Sequence, residues 1–268
     1  MSAAVRVRGA TKTFPGRGRA AGVTALENIE LRVEPGQFVS LIGPSGCGKS
    51  TLLRLVADLD RPSAGSIEVF GDPAAKARVK QAYGIAFQQA GLLPWRTVAA
   101  NIRLPLELHR FPPARRHARV AELLALVGLE DFADRYPDQL SGGMQQRVAI
   151  ARALAESPEL LLMDEPFGAL DEMTRERMQG ELKRIAGETG AAVVFVTHSI
   201  PEAVFLSDKV VVMSPRPGRI VDELPITLGT GSAADDVRES EAFFRQVSAV
   251  RELLHGVPGA APRGVDLR

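Results

Sequence analysis

A short apolar run, Phe38-Val39-Ser40-Leu41-Ile42, stops at Gly43-Pro44-Ser45-Gly46-Cys47-Gly48-Lys49-Ser50-Thr51, after which Leu52, Leu53, Leu55 and Val56 recur at helical spacing. Buried strand, glycine-rich loop and helix in that order point to an α/β fold with the loop at the carboxyl end of a strand. Gly43, Gly46 and Gly48 let the backbone curl and approach an anion without a Cβ. Successive N–H groups and the N-terminus of the following helix then face negative charge. Lys49 adds a mobile positive charge able to reach β- and γ-phosphates, and Ser50 brings a hydroxyl suited to Mg²⁺. The loop therefore reads as a cradle for a nucleotide. A chance glycine-rich turn is the competing reading, and the strand before it and helix after it weigh against that.

The 268 residues suffice for one large domain, or one domain with a subdomain, around a substantial core. A net charge of +1 gives no general reason to expect nucleic acid or a membrane surface as a partner. The longest apolar runs, such as Ala191 to Val196 and Val210 to Met213, are far too short to span a bilayer, and the N-terminus lacks a secretory pattern. These features lead to the expectation of a soluble, cytoplasmic protein. The single cysteine, Cys47, excludes an internal disulfide and suits a reducing compartment. It reads as a small filler in the loop or, as a thiol at a helix N-terminus, a low-pKa redox switch, the filler being favoured, and it is given no catalytic role.

Along the chain, Val5-Arg6-Val7-Arg8 alternates and Pro15-Gly16-Arg17-Gly18-Arg19 breaks the pattern, so residues 4–31 read as two strands around a polar turn with solvated arginines. Within it, Phe14 is either a core aromatic, which spacing alone favours, or a platform for an adenine ring. Strands are expected at Ser66 to Phe70 and Tyr83 to Phe87. From Gln88 to Ser157 clear alternation is lost, five prolines intervene and Arg115 to Val127 reads as a strong helix, which together suggest a helical insertion. Its Leu92-Leu93-Pro94-Trp95 is either a partner-docking cluster or a buried tryptophan anchor.

Ser141 is a plausible N-cap for the helix that follows, and two glycines at its start, Gly142 and Gly143, suggest close approach to an anion, although Ser-Gly-Gly alone says little. Leu160-Leu161-Leu162-Met163 reads as a buried strand ending in Asp164-Glu165. Adjacent carboxylates there are turn formers or, given the loop upstream, a metal-water ligand and a base. A helix from Glu172 to Ala186 and a strand from Ala191 to Thr197 lead to His198, either a structural imidazole or a γ-phosphate contact. Lys209 to Ser214 and Arg219 to Glu223 read as closing strands. A polar stretch then precedes an amphipathic helix with Phe243, Phe244, Val247, Val250, Leu253 and Leu254 on one side, expected to pack on the domain, and a loose tail after Gly256.

Taken in order, these segments from Val5 to about Glu223 resemble the ATP-binding subunits of ABC transporters. In that family's terms Gly43 to Thr51 is the Walker A loop, Leu160 to Glu165 the Walker B strand, and Leu140-Ser141-Gly142-Gly143-Met144-Gln145 a variant of the signature with Met144 inserted before Gln145. Phe87-Gln88 resembles the Q-loop, Gln89 being the less favoured alternative for that role, Ala169-Leu170-Asp171 resembles the D-loop, and His198 lies in the switch segment. Phe14 occupies the adenine-stacking position. The resemblance implies an α/β P-loop NTPase core with a mixed sheet, an N-terminal antiparallel β subdomain and a helical insertion. Residues 1–228 would form the nucleotide-binding domain, with a helical subdomain at about 88–157, and residues 229–268 a C-terminal extension.

It further implies ATP and Mg²⁺ as cofactors. Ser50, Gln88 and Asp164 would serve the metal, Glu165 would be the base, and His198 the γ-phosphate contact. Ser141, Gly142, Gly143 and Gln145 would face ATP bound by a second ATP-binding subunit, expected to be another copy. Integral membrane permease subunits, and through them a solute-binding protein, would be the other partners, placing the chain on the inner face of the cell membrane. A finer resemblance to importers of the nitrate, sulfonate, taurine and thiamine-precursor type rests on Gly91 to Arg96, Asp164 to Asp171, Thr197 to Ile200 and Ser214 to Arg219. The alternatives are a soluble ABC ATPase of nucleic-acid repair or translation, which would carry paired cassettes or a long coiled-coil insertion, and a small-molecule kinase, which the signature and Glu165 do not suit.

Overall fold

The computed structural model describes residues 2–16, 22–228 and 237–256. Arg17, Gly18 and Arg19 of the expected turn, residues 229–236 of the polar stretch and the tail after Gly256 lie outside them. β1 (Val5–Phe14) pairs antiparallel with β2 (Val23–Val33), Val5 opposite Val33 and Phe14 opposite Val23. The alternation seen in the sequence turns Val5 and Val7 inward and leaves Arg8 exposed. After β3 (Phe38–Ile42) and α1 (Lys49–Val56), β4 (Ala64–Val69) and β5 (Asp72–Pro73) join the first two strands, and the order of this antiparallel sheet is β2-β1-β4-β5.

The second sheet supports the chemistry. α2 (Ala74–Val79) leads to β6 (Gly84–Ala86), a shorter strand than the sequence suggested. The chain then passes through α3 (Val98–Leu108), α4 (Pro113–Val127) and α5 (Gly142–Ala153) before β7 (Leu160–Asp164). β6 and β7 are parallel neighbours, so the intervening chain has to cross over, and the helices form that crossover. α6 (Glu172–Thr189), β8 (Ala192–Val196), α7 (Ile200–Leu206), β9 (Lys209–Met213), β10 (Ile220–Pro225) and α8 (Glu241–Gly256) complete the described elements. The sheet runs β10-β9-β3-β8-β7-β6, parallel except for β10, which pairs antiparallel with β9.

Both faces of this sheet are covered, which explains why its strands read as continuous apolar runs. Leu160, Leu162, Val194, Val196 and Val211 share a core with α1 and the antiparallel sheet. Their neighbours Leu161, Met163, Val193, Phe195 and Val212 belong to a second core with the helices. α4 begins two residues before the expected Arg115 because Pro113, with its fixed φ, suits the first helical turn. α6 runs to Thr189, past the expected Ala186, and ends where Gly190 takes φ 65°. In α8, Phe243, Val247 and Val250 are buried as expected, but Phe244 is turned about a hundred degrees further round the helix and is 58% exposed. Among the described residues no helix is long and apolar enough to cross a membrane.

Candidate functional site

β3, β8 and β7 lie side by side, so the loops leaving their carboxyl ends converge. They open a cleft of about 700 Å³ lined by Phe14, Val23, Ala25, Ser45, Gly46, Gly48, Lys49, Ser50, Thr51, Gln88, Glu165, His198 and Arg216. Gly46 and Gly48 take φ 75° and 105°, left-handed conformations that a side chain would strain. Gly48 caps α1 without any side-chain hydrogen bond, so amide donors of the first helical turn stay available to an anion. Gly43 is needed for another reason: a Cβ there would sit 2.7 Å from the Met213 carbonyl oxygen. Lys49 is buried, its ammonium donating to the Gly43 carbonyl at 2.8 Å and the Pro44 carbonyl at 3.3 Å. The Cys47 side chain is buried against the antiparallel-sheet core, consistent with the filler reading.

The Ser50 hydroxyl donates to Asp164 Oδ1 at 2.9 Å. Asp164 is only 6% exposed; burial pushes its carboxyl above the usual aspartate range, the Ser50 hydrogen bond opposes this, and the Glu165 charge adds to it. Glu165 takes φ 45°, an uncommon left-handed conformation for a residue with a side chain, while its N–H donates to the Val196 carbonyl at 2.9 Å. The carboxylate of Glu165 meets two of the expected site residues. Gln88 Nε2 donates to its Oε2 at 3.2 Å, and His198 Nδ1 lies 3.4 Å from the same oxygen. Phe14, at the end of β1, is 41% exposed on the rim of the cleft, which removes the core reading for it.

The signature segment lies elsewhere on the molecule, outside this cleft. Ser141 caps α5 by accepting from the Met144 N–H at 3.2 Å. Gln145 turns its amide back onto the carbonyls of Pro137 (2.9 Å) and Leu140 (3.4 Å), bracing the turn before the helix. A Cβ on Gly142 would meet open space, whereas one on Gly143 would lie 2.9 Å from the Ala169 carbonyl oxygen. Asp171 caps α6 through the Thr174 N–H, and hydrogen bonds from Thr174 hold its carboxyl below the usual range.

The structure decides between the two readings of the Leu92-Leu93-Pro94-Trp95 cluster and adds contacts that the sequence reading missed, those of Asn101, Arg216 and Gly218. Trp95 is 71% exposed, so the buried-anchor alternative fails. Its loop is held by the buried Asn101, which accepts from the Leu93 N–H at 2.8 Å and donates to the carbonyls of Leu93, Arg96 and Thr97. Arg216 reaches the cleft from the β9–β10 turn and donates to the Gly46 carbonyl at 3.3 Å. Gly218 brings that turn back, its N–H donating to Ala25 and its carbonyl accepting from Glu27, both at 2.9 Å. The Pro-Arg-Pro-Gly spelling signalled a turn, but nothing local signalled where it would land.

Residues 26–168 match the ABC transporter family. The chain is 48% identical over 228 residues to an uncharacterized ABC transporter ATP-binding protein of Methanocaldococcus jannaschii, covering 85% of this chain and 84% of that protein. It is 52% identical over 223 residues to an aliphatic sulfonates import ATP-binding protein of Xanthomonas axonopodis pv. citri, covering 82% of this chain and 86% of that protein. Identity to a taurine import ATP-binding protein of Pelagibacter ubique is 41% over 232 residues, covering 87% of each chain. A solved ATP-binding cassette, a dimer in a post-hydrolysis state with ADP and phosphate bound, superposes with a TM-score of 0.77 at 36% identity, covering 83% of this chain and 99% of that one. With the glycine-rich loop, the paired carboxylates and His198 arranged at three adjacent strand ends, the chain belongs to the ABC transporter family as one of its ATP-binding, ATP-hydrolysing subunits.

Proposed function

We propose that this chain is the motor of an importer, coupling ATP binding and hydrolysis to uptake of a small oxyanionic or sulfonated solute through separate membrane subunits. The import roles that the taurine and sulfonate relatives are named for, with that of a nitrate import relative 42% identical over 244 residues, support transport over a non-transport role. Residues 1–228 would carry the nucleotide machinery and residues 229–268 a C-terminal extension. Permease subunits would hold the chain on the inner face of the membrane.

In this reading free backbone N–H groups of the loop between Gly43 and Lys49 and the Lys49 ammonium bind the phosphates, with Pro44, Ser45, Cys47 and Thr51 shaping the loop, and Phe14 stacks on the adenine. The Ser50 hydroxyl and Asp164 carboxylate, with the Gln88 amide oxygen, are the hard oxygen donors that suit Mg²⁺. Bound there, Mg²⁺ would neutralise charge on the phosphate oxygens. Glu165 takes a proton from the attacking water and His198 faces the γ-phosphate as charge develops. Ser141, Gly142, Gly143 and Gln145 meet ATP held by a second copy of the chain.

The observation that carries the proposal is Glu165, its carboxylate against both Gln88 and His198 at the mouth of the Lys49 cleft. Glu165→Gln should retain ATP binding and lose hydrolysis by at least about 100-fold, the scale of a general base. Undiminished hydrolysis would overturn the assignment. Tagged Glu165→Gln protein with ATP, drawn from detergent-solubilised membranes of its source, should bring down a multi-span membrane protein. Only soluble or ribosomal partners would overturn the transport reading.

A further inference from the structure

Behind His198, α6, α7 and the turn before α8 surround a second cleft of about 490 Å³. Three side chains along it, Thr197, Glu202 and Gln179, are more than nine-tenths buried and polar. A buried carboxylate is costly unless its oxygens are hydrogen-bonded, and those of Glu202 are. One accepts from the Gln179 amide at 2.8 Å and the other from the Thr197 hydroxyl. The Gln179 amide oxygen in turn accepts from Arg238 Nη2 at 2.6 Å. Arg238 precedes α8, stacks 3.9 Å above the centre of the Phe205 ring and reaches Glu176 at 3.5 Å.

The far end of this chain of bonds lies at the switch. Thr197 Oγ1 donates to Glu202 and accepts from the Ser199 N–H at 2.9 Å, so one hydroxyl holds the backbone on both sides of His198. By taking the Thr197 proton, Glu202 turns the hydroxyl's lone pairs toward the Ser199 N–H, and Glu202 in turn accepts from Gln179. Replacing the chain of bonds by apolar contacts would keep α6 against α7 but would lose direction, because dispersion contacts do not orient a hydroxyl. We infer that Arg238, Gln179 and Glu202 are positioning residues, a polar relay through which the segment leading into α8 sets the placement of His198 and hence the rate of hydrolysis. This deepens the proposed function and rests on its reading of His198.

The test uses the full chain with isotope-labelled histidine, whose four residues, His109, His117, His198 and His255, give few ring resonances. His198→Ala identifies the resonance of interest. Arg238→Ala should move the His198 ring signals while leaving those of His109 and His117 in place. It should also lower kcat by about 10-fold, the scale of losing an orienting partner or a small misplacement, with the KM for ATP within about two-fold. Arg238→Lys, which can still donate to Gln179, should keep most of the rate. Arg238→Ala added to Gln179→Leu should cost nothing further, because both break the same path. Unmoved His198 signals in Arg238→Ala, an unchanged kcat, or rate losses that multiply in the double variant would each overturn the relay. Full hydrolysis by His198→Ala would overturn the role of His198 itself, so the two failures are distinguishable.

Discussion

Asp164 sits with its carboxyl in a buried position beside a second carboxylate, and burial raises its pKa in the folded chain. An acid raised on folding binds its proton longer in the native state than in the unfolded one. Stability is therefore lost as pH climbs from the ordinary aspartate value of about 4 through the folded value, and the penalty persists at neutral pH. Asp164→Asn removes that charge while keeping an oxygen for the Ser50 hydroxyl. It should raise the Tm of the nucleotide-free chain at neutral pH by about 2–4 °C, the shift of about 1 kcal/mol in a chain of this size, and abolish hydrolysis. Calorimetry at pH 4 and pH 8 checks both parts: the gain should shrink at the lower pH, where the unfolded carboxyl is itself about half protonated, and an unchanged or lower Tm at pH 8 would refute the account. Asp164, Lys49 and Ser50 were legible in the sequence because their chemistry is spelled within a few residues of a strand end. Arg216 was not, since it enters the cleft only through the return of the β9–β10 turn, which long-range pairing with β2 sets.

The start of α5 separates two adjacent glycines by what surrounds them. Gly142 stands in open space within its own chain, and at the first position of a helix alanine should be tolerated or stabilising by about 0.5–1 kcal/mol. Gly143 backs onto the Ala169 carbonyl, so an added methyl must push away the segment that leads to Asp171. Gly142→Ala should thus leave the Tm unchanged or slightly higher yet lower ATP hydrolysis more than about 10-fold, because in the proposed function the space it fills is where a nucleotide held by another copy would sit. Gly143→Ala should lose about 1–3 kcal/mol of stability as an overpacked contact. Thermal melts and steady-state rates of the two variants decide it; a Gly142→Ala protein with full activity would remove the reason for glycine there. Helical spacing and the Ser141 cap made α5 readable beforehand. The exposure of Trp95 was unreadable, because it depends on Asn101 folding back upon a loop whose letters, Leu-Leu-Pro-Trp, suit either a core or a surface.

Across the whole molecule the fold class was legible from apolar runs and their punctuation, but the order of the strands was not. β3 finds its place between β8 and β9, segments about 150 to 170 residues later, and that pairing brings the glycine-rich loop and His198 to one cleft. The same architecture leaves Ser141 to Gln145 on the crossover helices, outside the cleft that holds Lys49. If both sets of groups serve one ATP, two chains must meet with each supplying what the other lacks, and two nucleotides then become part of the interface. Such an interface is linked to ATP by mass action: nucleotide that binds the pair more tightly than the separate chains draws them together, and hydrolysis releases them. Glu165→Gln with ATP should therefore scatter light as a particle of about twice 28.8 kDa, and return to the single-chain mass with ADP. Adding Gly142→Ala should hold it at the single-chain mass even with ATP, although each chain still binds nucleotide. Dimers that form equally well with ADP, or that survive Gly142→Ala, would mean that the contact lies on another surface and that the signature segment does not close the site.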